Sequence, residues 1–298
     1  MTSSDDAAPA PDTPRGVPEA LDPEPAGGPD ADGGRTAPRH PFTLAVDIGG
    51  TGLKASVLDA TGAMVADRVK IPTPYPLPPD KLVASLKRLV APLPASERAS
   101  AGFPGMVRDG VVLSCPHFVT VSGPGSAVDH HLVRLWDRYD LAGELTREFG
   151  MPTKVANDAD IQGAAVVTGH GLELVITLGT GFGTGLFYNG ELLPHLEIAH
   201  QPFRKGEDYD TQLGETTRKE IGEDRWNKRV TKAIANMRAL TAFDHLFIGG
   251  GNSRRVLRHH LPDDVTVVDN TAGILGGIRL WVPLRGGVPT VDGAAGAG

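Results

Sequence analysis

The sequence is poor in cysteine. Cys115 is the only one, so no disulfide and no multi-cysteine zinc site can form within one chain. That usage fits a reducing compartment, and a cytoplasmic location is expected. Long apolar runs are missing too. No stretch of about 18 apolar residues occurs, so no membrane partner is expected. Residues 1–40 hold almost no large apolar side chain. Rich in Pro, Ala, Gly and Asp, they cannot bury enough surface to offset their ordering entropy, and they read as a disordered acidic tail. Without an apolar core they do not read as a secretory signal. Positive charge is scarce as well. The net charge is −7, and residues 1–40, with eight acids and three bases, carry −5 of it. The nearly neutral remainder argues against nucleic acid as a partner. No G-x-x-x-x-G-K-[ST] run is present, and no helix signal follows the first glycine-rich turn. Walker and Rossmann phosphate loops are therefore excluded there.

What is present begins at Phe42. An apolar run leads into Val46-Asp47-Ile48-Gly49-Gly50-Thr51-Gly52-Leu53-Lys54, and a second apolar run follows to Leu58. This predicts two strands joined by a tight glycine turn. Exposed N–H groups in such a turn can cradle phosphate, although a glycine-rich hairpin can equally be only a turn. Glu173 to Gly190 repeats the pattern. Leu174–Leu178 predicts a strand, Gly179–Gly183 a glycine-threonine turn, Thr184–Tyr188 a returning strand, and Asn189-Gly190 a hairpin turn. Two such units, about 130 residues apart, suggest a duplicated architecture with a ligand held between the halves.

The rest of the chain alternates strand and helix signals. Met64–Ile71 predicts a third strand, and Leu82, Leu86, Leu89 and Val90 space a helix that Pro92 ends. Ser100–Phe103 and Val111–Leu113 predict short strands, and 115–130 an irregular loop. Leu141–Phe149 predicts a helix closed by Gly150, and 152–156 a strand leading into Asn157-Asp158-Ala159-Asp160. Residues 204–232 are rich in bases interleaved with acids, as a solvated helix surface would be. Trp226, Val230, Ala233 and Met237 space one helix face there. His245–Ile248 and Val265–Val268 predict strands, and a closing helix reaches Trp281. The alternation predicts an α/β fold, with the Gly/Ala-rich end from Gly286 frayed.

Asp158 has the chemistry of a general base. A hydroxyl is a poor nucleophile, and a positioned carboxylate can take its proton. Asp158 could also be a helix N-cap, and Asp160 competes for both roles. His200 reads as a buried structural histidine on its spacing alone.

Five pieces in order resemble the ROK sugar kinases of the actin–hexokinase superfamily, and among them the polyphosphate/ATP glucokinases. They are D-I-G-G-T-G-L-K at Asp47–Lys54, F-P-G at Phe103–Gly105, N-D-A-D at Asn157–Asp160, L-G-T-G-F-G-T-G at Leu178–Gly185 and G-G-G-N at Gly249–Asn252. The resemblance spans about residues 43–281 and implies a two-lobed actin-like, ribonuclease H-like ATPase fold with an inter-lobe cleft. The lobes would be 41–156 plus 271–285, and 157–270. It implies a hexokinase that phosphorylates the 6-hydroxyl of glucose or a related hexose, with Asp158 as base. Gly105, Asn157, Asp158, Glu197 and His200 would bind the sugar. Gly49, Gly50, Thr51, Lys54, Gly179, Thr180, Gly181, Gly249, Gly250, Gly251 and Asn252 would bind the donor, ATP and/or polyphosphate. Asp47 would hold Mg²⁺ through water, and the protein would be a homodimer.

The sequence departs from the family pattern in three places. Ala199 replaces the glycine of E-x-G-H, and His117 stands where Pro-Asn-Leu is common. The C-x-C-G-x-x-G-C cluster is missing, so no zinc is expected. Polyphosphate glucokinases lack that cluster too. The family also holds sugar-sensing regulators with an N-terminal DNA-binding helix pair, which residues 1–40 cannot form. The alternative is a sugar-binding relative without kinase activity.

Overall fold

Period-two alternation lays down the first strand. In β1 (Thr43–Ile48), Leu44, Val46 and Ile48 are buried while Asp47 faces outward. β2 (Gly52–Leu58) returns antiparallel with Leu53, Ala55 and Val57 buried. The computed structural model describes residues 41–268, 276–282, 284–285 and 288–289. The expected disordered tail, 1–40, and the stretch 269–275 lie outside the described residues.

In chain order there follow β3 (Val69–Pro72), α1 (Pro79–Val90), β4 (Arg98–Phe103), β5 (Met106–Arg108), β6 (Val111–Ser114), α2 (His130–Trp136), α3 (Leu141–Phe149), β7 (Thr153–Asn157) and α4 (Asp158–Ala164). The second half contains β8 (Leu172–Leu178), β9 (Phe182–Tyr188), β10 (Glu191–Leu192), β11 (Pro202–Arg204), β12 (Glu207–Asp208), α5 (Tyr209–Leu213), α6 (Glu215–Ile221) and α7 (Glu223–Thr241). β13 (His245–Gly249), β14 (Val265–Val267), α8 (Gly276–Arg279), β15 (Leu284–Arg285) and β16 (Val288–Pro289) complete it.

The two halves share one topology. The first sheet runs β3-β2-β1-β4-β7 and the second β10-β9-β8-β13-β14. In each, an antiparallel three-strand meander is extended by two parallel strands. The duplication suggested by the two glycine turns is therefore a duplication of whole sheets. Parallel strands place their carboxyl ends on one edge, where ligands of α/β sheets bind. Ile48, Phe103 and Asn157 end β1, β4 and β7 on that edge, with Asp47 one residue before the end of β1. Leu178 and Gly249 end β8 and β13 correspondingly.

Each half has its own core. The first packs Leu82, Leu86 and Leu89 of α1 and Leu141 and Leu145 of α3 beside the sheet residues. Phe103, Phe118 and Trp136 meet ring to ring there, and Trp136 donates its indole N–H to the Leu77 carbonyl. The second core centres on Trp226, Val230, Ala233 and Met237 of α7, the spacing expected from sequence. α8 lies against the first sheet. Ser100 Oγ donates to the Gly277 carbonyl at 2.5 Å, and Lys154 Nζ donates to the Leu280 carbonyl at 2.7 Å.

Several local expectations differ from what is observed. The third strand starts at Val69, and Met64 makes only an isolated bridge to Leu58. α2 has no counterpart among the sequence expectations, which place an irregular loop at 115–130 and assign nothing to the rest of the helix. It forms because Asp129 caps it, accepting from His131 N–H, and because Leu132 and Trp136 share a buried face. The closing helix is described only at Gly276–Arg279, and its expected start at Asn270–Gly273 lies outside the described residues. The end was expected to fray from Gly286, yet Val288–Pro289 pairs antiparallel with Leu284–Arg285. Among the described residues no helix is long and apolar enough to cross a membrane.

Candidate active site

Both glycine turns tie their carbonyls down and leave N–H groups open. In the first, Gly49 N–H donates to the Gly52 carbonyl. Thr73 Oγ1 donates to the Gly49 carbonyl at 2.7 Å, and Tyr75 OH to the Gly50 carbonyl at 2.8 Å. The N–H groups of Gly50 and Thr51 have no hydrogen-bond partner among the described residues. In the second turn, Gly179 N–H donates to the Gly181 carbonyl, and Glu215 N–H reaches the Gly179 and Thr180 carbonyls. Asp210 Oδ1 accepts from Phe182 N–H at 2.8 Å. Thr180 and Gly181 N–H are likewise without a partner among the described residues. Such turns present convergent donors to an anion.

The Gly249–Asn252 segment supports the second turn from behind. Asn252 Nδ2 donates to the Gly179 carbonyl at 3.0 Å, and its N–H donates to the Leu178 carbonyl. The Asn252 amide thus shapes the turn. Gly250 has φ +86°, and a Cβ there would collide with the Leu178 backbone, so only glycine fits.

Across β1 and β2, Lys54 sits opposite Asp47, and its Nζ lies 2.8 Å from Asp47 Oδ2. Lys54 therefore shares the face of Asp47. Both side chains are substantially exposed, at 42% and 55%, so solvent screens the pair. Magnesium usually keeps several waters and takes one or two carboxylates plus substrate phosphates. Asp47, exposed at the strand end, fits that water-mediated role. No group of three His, Cys, Asp or Glu side chains among the described residues is arranged to hold a metal by itself, so the donor's phosphates would supply the remaining ligands.

β7 delivers Asn157 and Asp158 to the same edge. Asn157 is the helix cap: its Oδ1 accepts from Ala159 N–H at 2.8 Å, and its Nδ2 donates to the Gly105 carbonyl at 2.9 Å. Gly105 is pressed against Ser114, where a Cβ would collide with the Ser114 carbonyl. The capping role considered for Asp158 therefore belongs mainly to Asn157, although Asp158 Oδ1 also approaches Ala159 N–H. Asp158 is half-buried. Burial pushes its carboxyl up to about 6; the Ala159 N–H opposes this, and the Asp47 and Asp160 charges add to it. A half-buried carboxylate tuned toward neutral pH can accept a proton.

Asp160 does not compete for that task. It is 2% exposed, and both its oxygens lie 3.0 Å from His195 Nδ1. His195 has no counterpart among the sequence-based candidates. Its only sequence signal is its place two residues before Glu197. Burial alone would lower His195, but the Asp160 and Glu197 carboxylates outweigh it and raise the imidazolium to about 9. Glu197 is half-buried, with Oε2 3.7 Å from His195 Nε2, and the imidazolium holds its carboxyl below the usual range. His200 is mostly exposed. Its Nδ1 lies 3.5 Å from Asp208 Oδ2, so it is not the buried structural histidine its spacing suggested. Ala199 is buried without a positive φ, so alanine fits where the family has glycine. His117 stands over Gly50, within electrostatic reach of Asp210 and His200.

A family model described as the ROK family matches residues 43–196, about half of the chain. The chain belongs to the ROK family. This ROK protein is 28% identical over 257 residues to a polyphosphate glucokinase of Mycobacterium tuberculosis, covering 82% of this chain and 91% of that one. It is 36% identical over 159 residues to an N-acetylmannosamine kinase of Escherichia coli, covering 51% and 49%. Among solved structures it resembles the inorganic polyphosphate/ATP-glucomannokinase of Arthrobacter sp. strain KM, with TM-score 0.64 and 28% identity over 80% of this chain and 97% of that one. A ROK family glucokinase from Streptomyces griseus gives TM-score 0.57 at 19% identity over 79% and 97%, a likeness of fold alone. The ROK protein thus has the two-lobed actin-like ATPase fold.

Proposed function

We propose that this protein is a hexokinase of the glucokinase type, transferring a phosphoryl group from ATP and/or polyphosphate to the 6-hydroxyl of glucose or a related hexose. The observation that carries this reading is Asp158, half-buried beside two phosphate-type turns and raised toward neutrality by its surroundings. The hydroxyl oxygen bonds to the donor's terminal phosphorus while the bond from that phosphorus to its bridging oxygen breaks. The hydroxyl proton passes to Asp158. The donor leaves one phosphoryl group shorter. Catalysis of this kind is mostly positioning and charge stabilisation. Gly49, Gly50, Thr51, Gly179, Thr180 and Gly181 supply backbone N–H groups to the phosphates, with Lys54, Gly249, Gly250, Gly251 and Asn252 around them. Asp47 would hold Mg²⁺ through water together with the donor's phosphates, and the ion would neutralise donor charge when bound. Gly105, Asn157, Glu197 and His200 line the sugar side. The lobes are residues 41–156 with 271–285, and 157–270, and the protein is a cytoplasmic homodimer.

The names of the relatives support both donors. Surface charge favours neither strongly. Arg218 pairs with Glu215 and Glu223, and Lys219 with Glu215, so several bases of the 204–232 stretch that a polyanion groove would need are already partnered. A pocket of about 400 Å³ beside Thr180 is lined by Glu207, Asp210, Glu220 and Arg229, and its carboxylates oppose a polyphosphate chain. The test is sugar 6-phosphate formation from purified protein, Mg²⁺ and a hexose panel, with ATP or polyphosphate at several salt concentrations. A basic-groove route predicts the steeper salt dependence for polyphosphate. Hexose binding without product from either donor would favour the alternative, a sugar-binding relative without kinase activity.

A further inference from the structure

His195 is buried, 7% exposed, between two carboxylates that belong to different segments. Asp160 comes from the first turn of α4, two residues after Asp158. Glu197 comes from the loop after β10, and β9 anchors that loop. Thr184 Oγ1 donates to the Leu196 carbonyl at 2.7 Å, and Leu193 N–H donates to the Leu186 carbonyl at 2.9 Å. Nδ1 is fully committed to Asp160, at 3.0 Å from each oxygen. Nε2 is buried and has no hydrogen-bond partner, with Glu197 Oε2 3.7 Å away. That distance is outside hydrogen-bond range, so a modest turn of Glu197 is what completes the contact. The charged groups facing the ring are Asp160 and Asp158 from α4 and Glu197 from its own loop, with His200 next to Glu197.

A buried polar atom without a hydrogen-bond partner is costly, and a chain seldom retains one without a use. We propose that His195 is a positioning residue: as imidazolium it ties the base-bearing helix α4, through Asp160, to the Glu197 carboxylate, and it fixes that carboxylate as an ionised acceptor for a sugar hydroxyl. The proposal rests on the hexokinase reading. It makes the spacing between the proton acceptor and the sugar's second anchor depend on one ring. Its charge also acts on Asp158, which it helps keep ionised.

The test is the variant His195→Gln, with the double variant Asp160→Asn/His195→Gln to remove the buried charge that the single change strands. Hexose KM, kcat and the pH profile of kcat/KM are measured for each, together with hexose affinity by calorimetry. Loss of one charge-assisted contact predicts a hexose KM and Kd about 10- to 100-fold higher. kcat should stay within about threefold, because Asp158 remains in place. In the single variant the acid limb of kcat/KM moves to higher pH, since a positive neighbour of Asp158 is gone. Wild-type affinity for hexose should weaken as pH rises through about 9, where His195 loses its proton, and this limb should be missing from both variants. A purely structural ion pair predicts otherwise: the double variant, with its charges balanced, would regain wild-type KM, Kd and pH profile. That result overturns the proposal. Wild-type protein that binds hexose but never phosphorylates it sinks the kinase reading alone, and the calorimetric comparison then decides His195. Equal affinity in wild type and variants, or no hexose binding by the wild type, overturns the positioning role.

Discussion

Asp158→Asn separates what the fold wants from what the reaction needs. Burial raises the Asp158 carboxyl from its ordinary 3.8 to about 6. The ionised form is therefore disfavoured in the native state. The penalty is absent below the unfolded value of 3.8, grows as pH rises, and is complete above about 6. At about 1.36 kcal/mol per unit, the native state gives up about 3 kcal/mol at pH 8 and about 1 kcal/mol at pH 4.5. Asparagine keeps the size and an acceptor for Ala159 N–H but carries no charge. The variant should be more stable than wild type by about 1–3 kcal/mol at pH 8, with a gain that shrinks toward pH 4.5. Turnover should drop by about 10²–10⁴, the usual contribution of a general base. Denaturant unfolding can be followed by tryptophan fluorescence, because Trp136 and Trp226 report one core each. Hexose affinity, measured separately, should stay within about tenfold. A variant that is less stable at pH 8, or a stability difference that ignores pH, would refute the argument that burial of charge tunes this carboxyl. Turnover close to wild type would remove Asp158 from its role as base.

Two further predictions concern the frame around the site. Glu173, fully buried at 0% exposure, accepts from Thr168 N–H and Oγ1, Gly169 N–H and His170 N–H. Glu173→Ala strands those donors and should cost about 3–5 kcal/mol of stability in denaturant unfolding; a loss under 1 kcal/mol would show that the turn relaxes freely. Gly250→Ala forces a side chain into φ +86° and into the Leu178 backbone. It should displace the second glycine turn and raise donor KM about tenfold or more, with hexose affinity little changed; unchanged donor kinetics would mean that the turn does not depend on this support.

The sequence by itself determined most of the elements, although it began the third strand too early and gave no sign of α2. Alternation in Thr43–Ile48 and the 3.6-residue spacing of Trp226, Val230, Ala233 and Met237 depend only on neighbours along the chain, and both appear as expected. The two glycine turns announced a duplication, because a turn must be encoded locally in residues that tolerate it. What the tertiary structure decided are contacts between segments far apart in sequence. Lys54 faces Asp47 because β1 and β2 pair in one register. Asn157 and Asn252 had the composition of ligand-binding amides, yet each spends its amide on a distant carbonyl, at Gly105 and Gly179. His195 was invisible as a lone histidine among mostly apolar neighbours, while His200 had the motif. Packing of the loop after β10 against α4 put His195 inside, between Asp160 and Glu197, and left His200 in solvent. Burial is set by what the rest of the chain lays over a residue. Burial raises the Asp158 carboxyl, and the Asp160 and Glu197 carboxylates raise His195 against its own burial, so neither could be derived from the order of residues alone.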